Sequence, residues 1–290
     1  MEIKLEQADM FNLDATLCCG QAFRWTKHEG WWYGVVEGNV IKIRQAGQKL
    51  EFENADADFV KNYFSLDHDL PAIFLQICKD EHIKKAIETF KGLRILRQEP
   101  WECLISYVCA TYKNVSAIAC MLQNLSQKFG EELFFENKKF YAFPTTESLA
   151  NASIRDLEDC GLGFRAKYVS EVVKLVNRGL FDLERLKTLT FEEARNELLS
   201  LRGVGMKVAD CILLFSLEKL EAFPVDVWVR RALLRHYSSH FPKEFVEKML
   251  KEKTLNKTGY LKLSLFGQKY FGRYAGYAQE YLYHYERSQT

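Results

Sequence analysis

Apolar residues gather first into short runs. Phe23–Lys27, Trp31–Val36, Val40–Arg44 and Lys49–Glu53 are rich in aromatic and β-branched residues, as half-buried strands are. His28-Glu29-Gly30, Glu37-Gly38-Asn39 and Gln45-Ala46-Gly47 separate them. These are turn chemistry, so the segment predicts an antiparallel meander. The pattern then changes to a helical period. Residues 56–91 read as helical with an interruption at Leu70-Pro71, and residues 92–100 as a joint. Pro100 suits the first turn of a helix through Trp101, Leu104, Ile105 and Val108. A second helix is expected from about Val115 to Phe129, closed by Gly130. Ser153 can cap a short helix over 154–160, and a longer one runs from Ala166 to Arg178, stopped by Gly179.

The densest information lies between Leu198 and Arg230. Thr190 caps the preceding helix, with Glu193 closing a capping box. Gly203 and Gly205 flank Val204, so the turn over 201–205 is expected to take positive φ and to expose consecutive N–H groups. The next helix starts at Met206, and its free N–H groups and positive dipole end suit a phosphate oxygen. Such a hairpin grips a nucleic-acid backbone without reading its sequence. Lys207 lies on the first turn of that helix, and Cys211, four residues on, shares its face. Asp226 follows in Phe223-Pro224-Val225-Asp226, where it can cap another helix. Burial beside a positive helix start disfavours an ammonium, so Lys207 is a candidate nucleophile. Asp226 is a candidate stabiliser of a developing cation.

Composition narrows the function classes. No apolar run approaches 18 residues, so no membrane span is expected. The N-terminus lacks a basic region followed by an apolar one, so no secretion signal is expected and the location is expected to be cytoplasmic. The eight cysteines show no C-x-x-C spacing and read as free thiols. Net charge is only +1, but residues 151–290 carry 23 Lys/Arg against 18 Asp/Glu and residues 1–150 carry 17 against 21. The basic excess falls in the half that holds the hairpin, as a phosphate footprint requires.

The stretch LRGVGMKVADC followed by PVD resembles the helix-hairpin-helix Gly/Pro…Asp motif of base-excision DNA glycosylases. It is most similar to that of the 8-oxoguanine DNA glycosylases. Further motifs share the resemblance. Cys19-Gly20-Gln21-Ala22-Phe23-Arg24-Trp25 is similar to a family signature whose glycine carbonyl accepts N7–H of the oxidised guanine. Normal guanine lacks that hydrogen and would leave the carbonyl unpaired, at a cost on the order of 1–3 kcal/mol. Gly161-Leu162-Gly163-Phe164-Arg165-Ala166 resembles the segment that wedges an aromatic beside the orphaned base and contacts it with an arginine. Tyr274-Ala275-Gly276-Tyr277-Ala278-Gln279 resembles the segment whose glutamine pairs with the extruded base. Tyr283 takes the place of the aromatic covering one face of that base, with Cys211 on the other; Pro224 joins the same pocket. In the loop Thr111-Tyr112-Lys113-Asn114 the chain departs from the family. Tyr112 stands where the gap-filling asparagine is expected, Ala117 where an arginine reads cytosine, and Asn114 remains.

The resemblance implies an α+β fold. An N-terminal antiparallel β domain over residues 1–95 precedes a helical domain over 96–290, with the hairpin at about 191–217. It implies a bifunctional glycosylase/AP lyase acting as a monomer on double-stranded DNA that contains an oxidised guanine. The base is flipped out, Lys207 forms a Schiff base, Asp226 steadies the cationic sugar, and β-elimination nicks the strand. Lys207 and Cys211 are expected to form an antiparallel dipole pair against the base. The DNA-contacting set is Tyr112, Asn114, Phe164, Arg165, Gly203 and Gly205. Trp228 replaces a phosphate-contacting histidine, and Arg230, Arg231 and Arg235 form either a solvated or a phosphate face. No catalytic metal or cofactor is expected; the carbonyls of Leu199, Leu201 and Val204 could hold a structural monovalent cation. The absence of cysteines after Cys211 excludes the C-terminal iron–sulfur loop of the endonuclease III branch. Tyr112 and Ala117 imply relaxed discrimination of the opposite base. Two other readings stay open: a glycosylase for an alkylated purine, and a non-catalytic hairpin module that only binds DNA.

Overall fold

Three aspartates divide the stretch that sequence periodicity reads as one interrupted helix. Asp56, Asp69 and Asp80 each accept backbone N–H bonds at a helix start, which offsets the unpaired donors there. The result is three helices, α2 (Ala57–Tyr63), α3 (Leu70–Ile77) and α4 (Glu81–Thr89). The computed structural model describes residues 1–5 and 10–289.

Before them, α1 (Leu13–Cys18) and five strands form the N-terminal layer: β1 (Glu2–Lys4), β2 (Trp25–His28), β3 (Trp31–Val36), β4 (Asn39–Ala46) and β5 (Lys49–Glu53). The sheet is antiparallel, ordered β1-β5-β4-β3-β2. The meander is present as expected, with two differences. β1 adds an edge strand by pairing Ile3 with Leu50. β2 starts at Trp25 rather than Phe23, because Phe23 packs edge-on against Tyr107 of the helical layer.

The remainder is helical except for a small hairpin, β6 (Glu132–Phe135) with β7 (Lys138–Tyr141). The helices are α5 (Pro100–Cys109), α6 (Val115–Phe129), α7 (Thr146–Ala150), α8 (Ile154–Asp159), α9 (Arg165–Asn177), α10 (Arg185–Thr188), α11 (Phe191–Ser200), α12 (Met206–Ser216), α13 (Val227–His236), α14 (Lys243–Lys251), α15 (Lys257–Phe271) and α16 (Ala275–Ser288). Fold class is therefore α+β, an antiparallel sheet followed by a helical array.

Two hydrophobic cores result. The smaller one joins Ile41, Ile43, Leu50 and Phe52 of the sheet to Leu13, Val60 and Phe64. The larger one contains α5, α9, α11, α12 and α16, and it also takes Ile73, Ile77, Ile83 and Ala86. Thus α3 and α4 belong in space to the helical core, although they precede the division expected at residue 95.

Residues 93–98 run between the two cores and are held from both sides. Gln21 Nε2 donates to the carbonyls of Thr16 and Arg94 at 3.0 and 2.8 Å, while its Oε1 accepts from Leu96 N at 2.8 Å. Arg94 donates to the carbonyls of Met10, Ser65 and His68. Buried polar groups fully paired in this way fix geometry. The expected joint is tied to both cores by these bonds.

Candidate active site

The hairpin is built as its sequence dictates. Thr190 and Glu193 form the capping box of α11. Gly203 has φ +90, and a Cβ there would lie 2.7 Å from the Tyr168 side chain on α9. Gly205 departs from expectation: its φ is −91 and it is the N-cap of α12, with no side-chain cap bond. The start of α12 therefore carries no side-chain oxygen and keeps its first N–H groups for another acceptor.

Behind the hairpin lies a buried network that sequence patterns do not reveal. Asp210 on α12 pairs with Arg195 on α11, at 2.8 Å to Nε and 2.9 Å to Nη2. The Tyr260 hydroxyl donates to the same carboxylate at 2.5 Å and accepts from Val225 N at 3.4 Å. One phenol on α15 thus links the helix of Lys207 to the loop of Asp226. The available signal was one charged residue inside the apolar run Val208–Phe215.

Lys207, Cys211, Pro224, Asp226, Gln279, Tyr283 and Gly20 line one cleft of about 100 Å³. The structure therefore brings together both expected catalytic residues and all five expected base-binding residues. Asp226 caps α13: its Oδ1 accepts from Trp228 N at 2.9 Å and Val229 N at 2.8 Å. Burial raises its pKa against those bonds and against Lys207.

Lys207 corrects one expectation. Burial works against its ammonium, but Cys211, Asp226 and Glu280 more than offset burial, and its pKa is raised. The resting lysine is charged, with its Nζ 5.0 Å from the Tyr107 ring centroid. Burial pushes the Cys211 thiol up to about 12, against the pull of Lys207.

The base-recognition side is equally specific. Gly20 has φ +99, and a Cβ there would meet Arg287 Nη1 at 2.7 Å and the Tyr283 hydroxyl at 3.3 Å. Its glycine is required by the positive φ of a turn, not by strand geometry. Gln279 is 4% exposed, and its Oε1 has no hydrogen-bond partner among the described residues. A buried amide oxygen left unpaired is costly, which marks the position as one awaiting a donor. The Tyr283 hydroxyl, an addition relative to the expected aromatic, accepts from Arg287 Nη1 at 2.9 Å. Arg287 Nη2 also donates to the Cys18 carbonyl at 2.6 Å, so this residue, missed in sequence, braces the rim beside Gly20. Its signal was a position four residues beyond Tyr283.

The residues expected on the DNA face fall into two groups. Tyr112 is 82% exposed at φ +56, and Phe164 is 54% exposed. A bulky residue in the left-handed region is strained, so the loop holds Tyr112 outward against a local preference. Arg165 and Asn114 are differently placed. Arg165 is 3% exposed and donates to the carbonyls of Thr111 and Leu162. It braces the Tyr112 loop instead of reaching outward. Asn114 caps α6, accepting from Ala117 N at 2.9 Å. The arginine face also resolves. Arg230 is bound to the carbonyls of Met249 and Glu252, and Arg235 pairs with Glu286. Arg231 instead lies over the Trp228 ring, 4.6 Å from its centroid.

A helix-hairpin-helix with a lysine–aspartate cleft beside a flanking β domain defines a base-excision DNA glycosylase. The model for the N-terminal domain of 8-oxoguanine DNA glycosylases matches residues 2–104, and that for HhH-GPD superfamily base excision DNA repair proteins matches residues 105–254. The N-glycosylase/DNA lyase of Saccharomyces cerevisiae is 32% identical, over 92% of this chain and 81% of its own. The 8-oxoguanine glycosylase/lyase of Clostridium acetobutylicum, solved with double-stranded DNA containing cytosine opposite 8-oxoguanine, is 32% identical, with a TM-score of 0.87 over 100% of this chain and 98% of its own. A 3-methyladenine DNA glycosylase of Archaeoglobus fulgidus, 22% identical with a TM-score of 0.76, shares the fold. The chain belongs to the 8-oxoguanine DNA glycosylase family. Among the described residues, no helix is long and apolar enough to cross a membrane.

Proposed function

We propose that this protein excises 8-oxoguanine from duplex DNA through a Lys207 Schiff base, then nicks the strand by β-elimination. The observation that carries the reading is the unpaired, buried Gln279 Oε1 in the cleft of Lys207. A flipped purine presents N–H donors on its Watson–Crick edge to meet it. The Gly20 carbonyl would accept N7–H of the oxidised base, and Cys211 and Tyr283 would sandwich the ring. Asp226, already anchored by two N–H groups, supplies fixed negative charge where the sugar becomes cationic. Lys207, once deprotonated, attacks the sugar carbon. Gly203, Gly205 and the start of α12 hold a phosphate. The Leu201 carbonyl accepts Val204 N–H at 3.1 Å and keeps one lone pair, so with Leu199 and Val204 it fits a monovalent cation that would stiffen this turn.

Tyr112 fills the gap left by the lesion by stacking, which every base tolerates. Discrimination of the opposite base is therefore relaxed. The alkylated-purine reading is disfavoured by Lys207 and Gly20 in the same cleft, and a purely binding module by the Lys207–Asp226 pair.

Borohydride trapping on a duplex with one 8-oxoguanine tests the nucleophile. An adduct is expected with the wild type and none with Lys207→Gln. Base release without an adduct would instead make water the nucleophile. Excision rates within about tenfold opposite all four bases are expected; a cytosine preference of 10³ or more would show that Tyr112 reads the opposite base after all.

A further inference from the structure

Glu280 follows Gln279 on α16 and lines the same cleft as Lys207, Cys211 and Asp226. It is 2% exposed, and its Oε1 has no hydrogen-bond partner among the described residues. An orphaned carboxylate oxygen in an interior is costly, and proteins retain few of them. This one lies within electrostatic reach of an amine that must lose a proton before it can react.

Polar and charged groups from several elements surround Glu280. Cys19, after α1, presents its thiol to the carboxyl, and Lys207 faces it from α12. Asp226 faces it from the cap of α13, and Tyr107 from α5. Arg287 and Tyr283 lie on its own helix. Burial is the largest influence and pushes the Glu280 carboxyl up to about 7, so its carboxylate is a stronger base than an ordinary one.

Asp226 is poorly suited to the same task. Its Oδ1 caps α13 through two N–H groups, and a proton on that carboxyl would weaken the cap. The cleft therefore holds two carboxylates in unequal surroundings: Asp226 anchored through Oδ1 by two backbone donors, and Glu280, 2% exposed, with its Oε1 unpartnered among the described residues. Such a separation assigns different roles to the pair.

We propose that Glu280 is the proton acceptor that activates Lys207; the inference rests on the lysine-nucleophile reading above. Once bound DNA closes the cleft and brings the two groups within hydrogen-bond distance, Glu280 Oε1 takes one of the three protons on Lys207 Nζ. The freed electron pair forms the Nζ–C1′ bond as the C1′–N9 bond breaks, and the N9 electron pair leaves with the base. One of the two protons still on Nζ neutralises the departing base. The remaining nitrogen electron pair then forms C=N as the C1′–O4′ bond opens, and Glu280 returns its proton to O4′. The last proton stays on the iminium, and Glu280 is again a carboxylate.

The test is single-turnover excision of 8-oxoguanine between pH 5.5 and 9, with duplex affinity and thermal midpoint measured in parallel. The wild-type rate is expected to rise with an apparent pKa near 7. Glu280→Gln should lower the rate by about 10²-fold or more and remove that inflection, with duplex Kd unchanged within about threefold. Glu280→Ala should regain rate on addition of formate or acetate, which a merely structural carboxylate would not allow. Full rate and an intact inflection in Glu280→Gln would overturn the proposal. So would a rate loss matched by lost affinity. Should Glu280→Gln fail to fold, Glu280→Asp serves in its place: a shifted inflection is expected, an unshifted one overturns the assignment. Borohydride trapping of the wild type separates the two levels. No wild-type adduct removes the lysine reading and this inference together; an adduct with an unchanged Glu280→Gln profile removes this inference alone.

Discussion

Gly20 shows how little freedom single positions retain in this cleft. Its positive φ disfavours any side chain, and an added Cβ would meet the mobile tip of Arg287 at 2.7 Å. Gly20→Ala is expected to cost about 1 kcal/mol or more in stability. It should also displace Arg287, lowering affinity for an 8-oxoguanine duplex more than for undamaged DNA. Equal losses on both duplexes would deny Gly20 a part in base recognition. Glu280 makes a pH-dependent prediction. Burial lifts its carboxyl from 4.5 to about 7. Between those values the folded protein holds a proton that the unfolded chain releases, so stability falls as pH rises through the window and the loss is complete above it. Glu280→Gln should therefore be more stable than the wild type at pH 8, by roughly 1–3 kcal/mol, with the difference gone below pH 4.5. Chemical denaturation at pH 4 and pH 8 checks both the sign and the window. Sequence made Gly20, Lys207, Asp226 and Gln279 legible because each sits in a motif with fixed spacing. It hid Arg165, whose burial depends on the Thr111 carbonyl 54 residues away, and the raised pKa of Lys207, to which Cys211 and carboxylates from two other elements contribute.

At the scale of elements, the hairpin depends on what holds its two helices from behind. Arg195, Asp210 and Tyr260 tie α11, α12 and α15 together in the interior. Asp210→Ala would leave the Arg195 guanidinium buried without its partner, and a loss of about 3–5 kcal/mol is expected. Thermal unfolding measures that loss. A shift of under 1 kcal/mol would mean that Arg195 finds another acceptor or reaches solvent. Local signals located several helix ends: the Thr190 capping box, the Asp226 cap, and Gly130 closing α6. They failed where pairing is remote. β1 is three residues long and becomes a strand only by meeting β5. The division of residues 56–91 into three helices needed its aspartates weighed as caps, a signal present in the sequence.

Across the whole molecule, the two cores are joined by residues 93–98 without slack. Gln21 and Arg94 fill the seam with buried hydrogen bonds. Chain length allows one large core or two modest ones; it does not show that α3 and α4 join the helical core, since their apolar faces fit either. This seam has a consequence for the DNA. Two cores tied by buried hydrogen bonds resist following a straight duplex, so the bending is expected to fall on the nucleic acid. Its cost then depends on the stiffness of the base steps around the lesion. Repair of the same lesion should be fastest between pyrimidine–purine steps and slowest within A-tracts, making excision a readout of local DNA mechanics in sequence the protein never contacts.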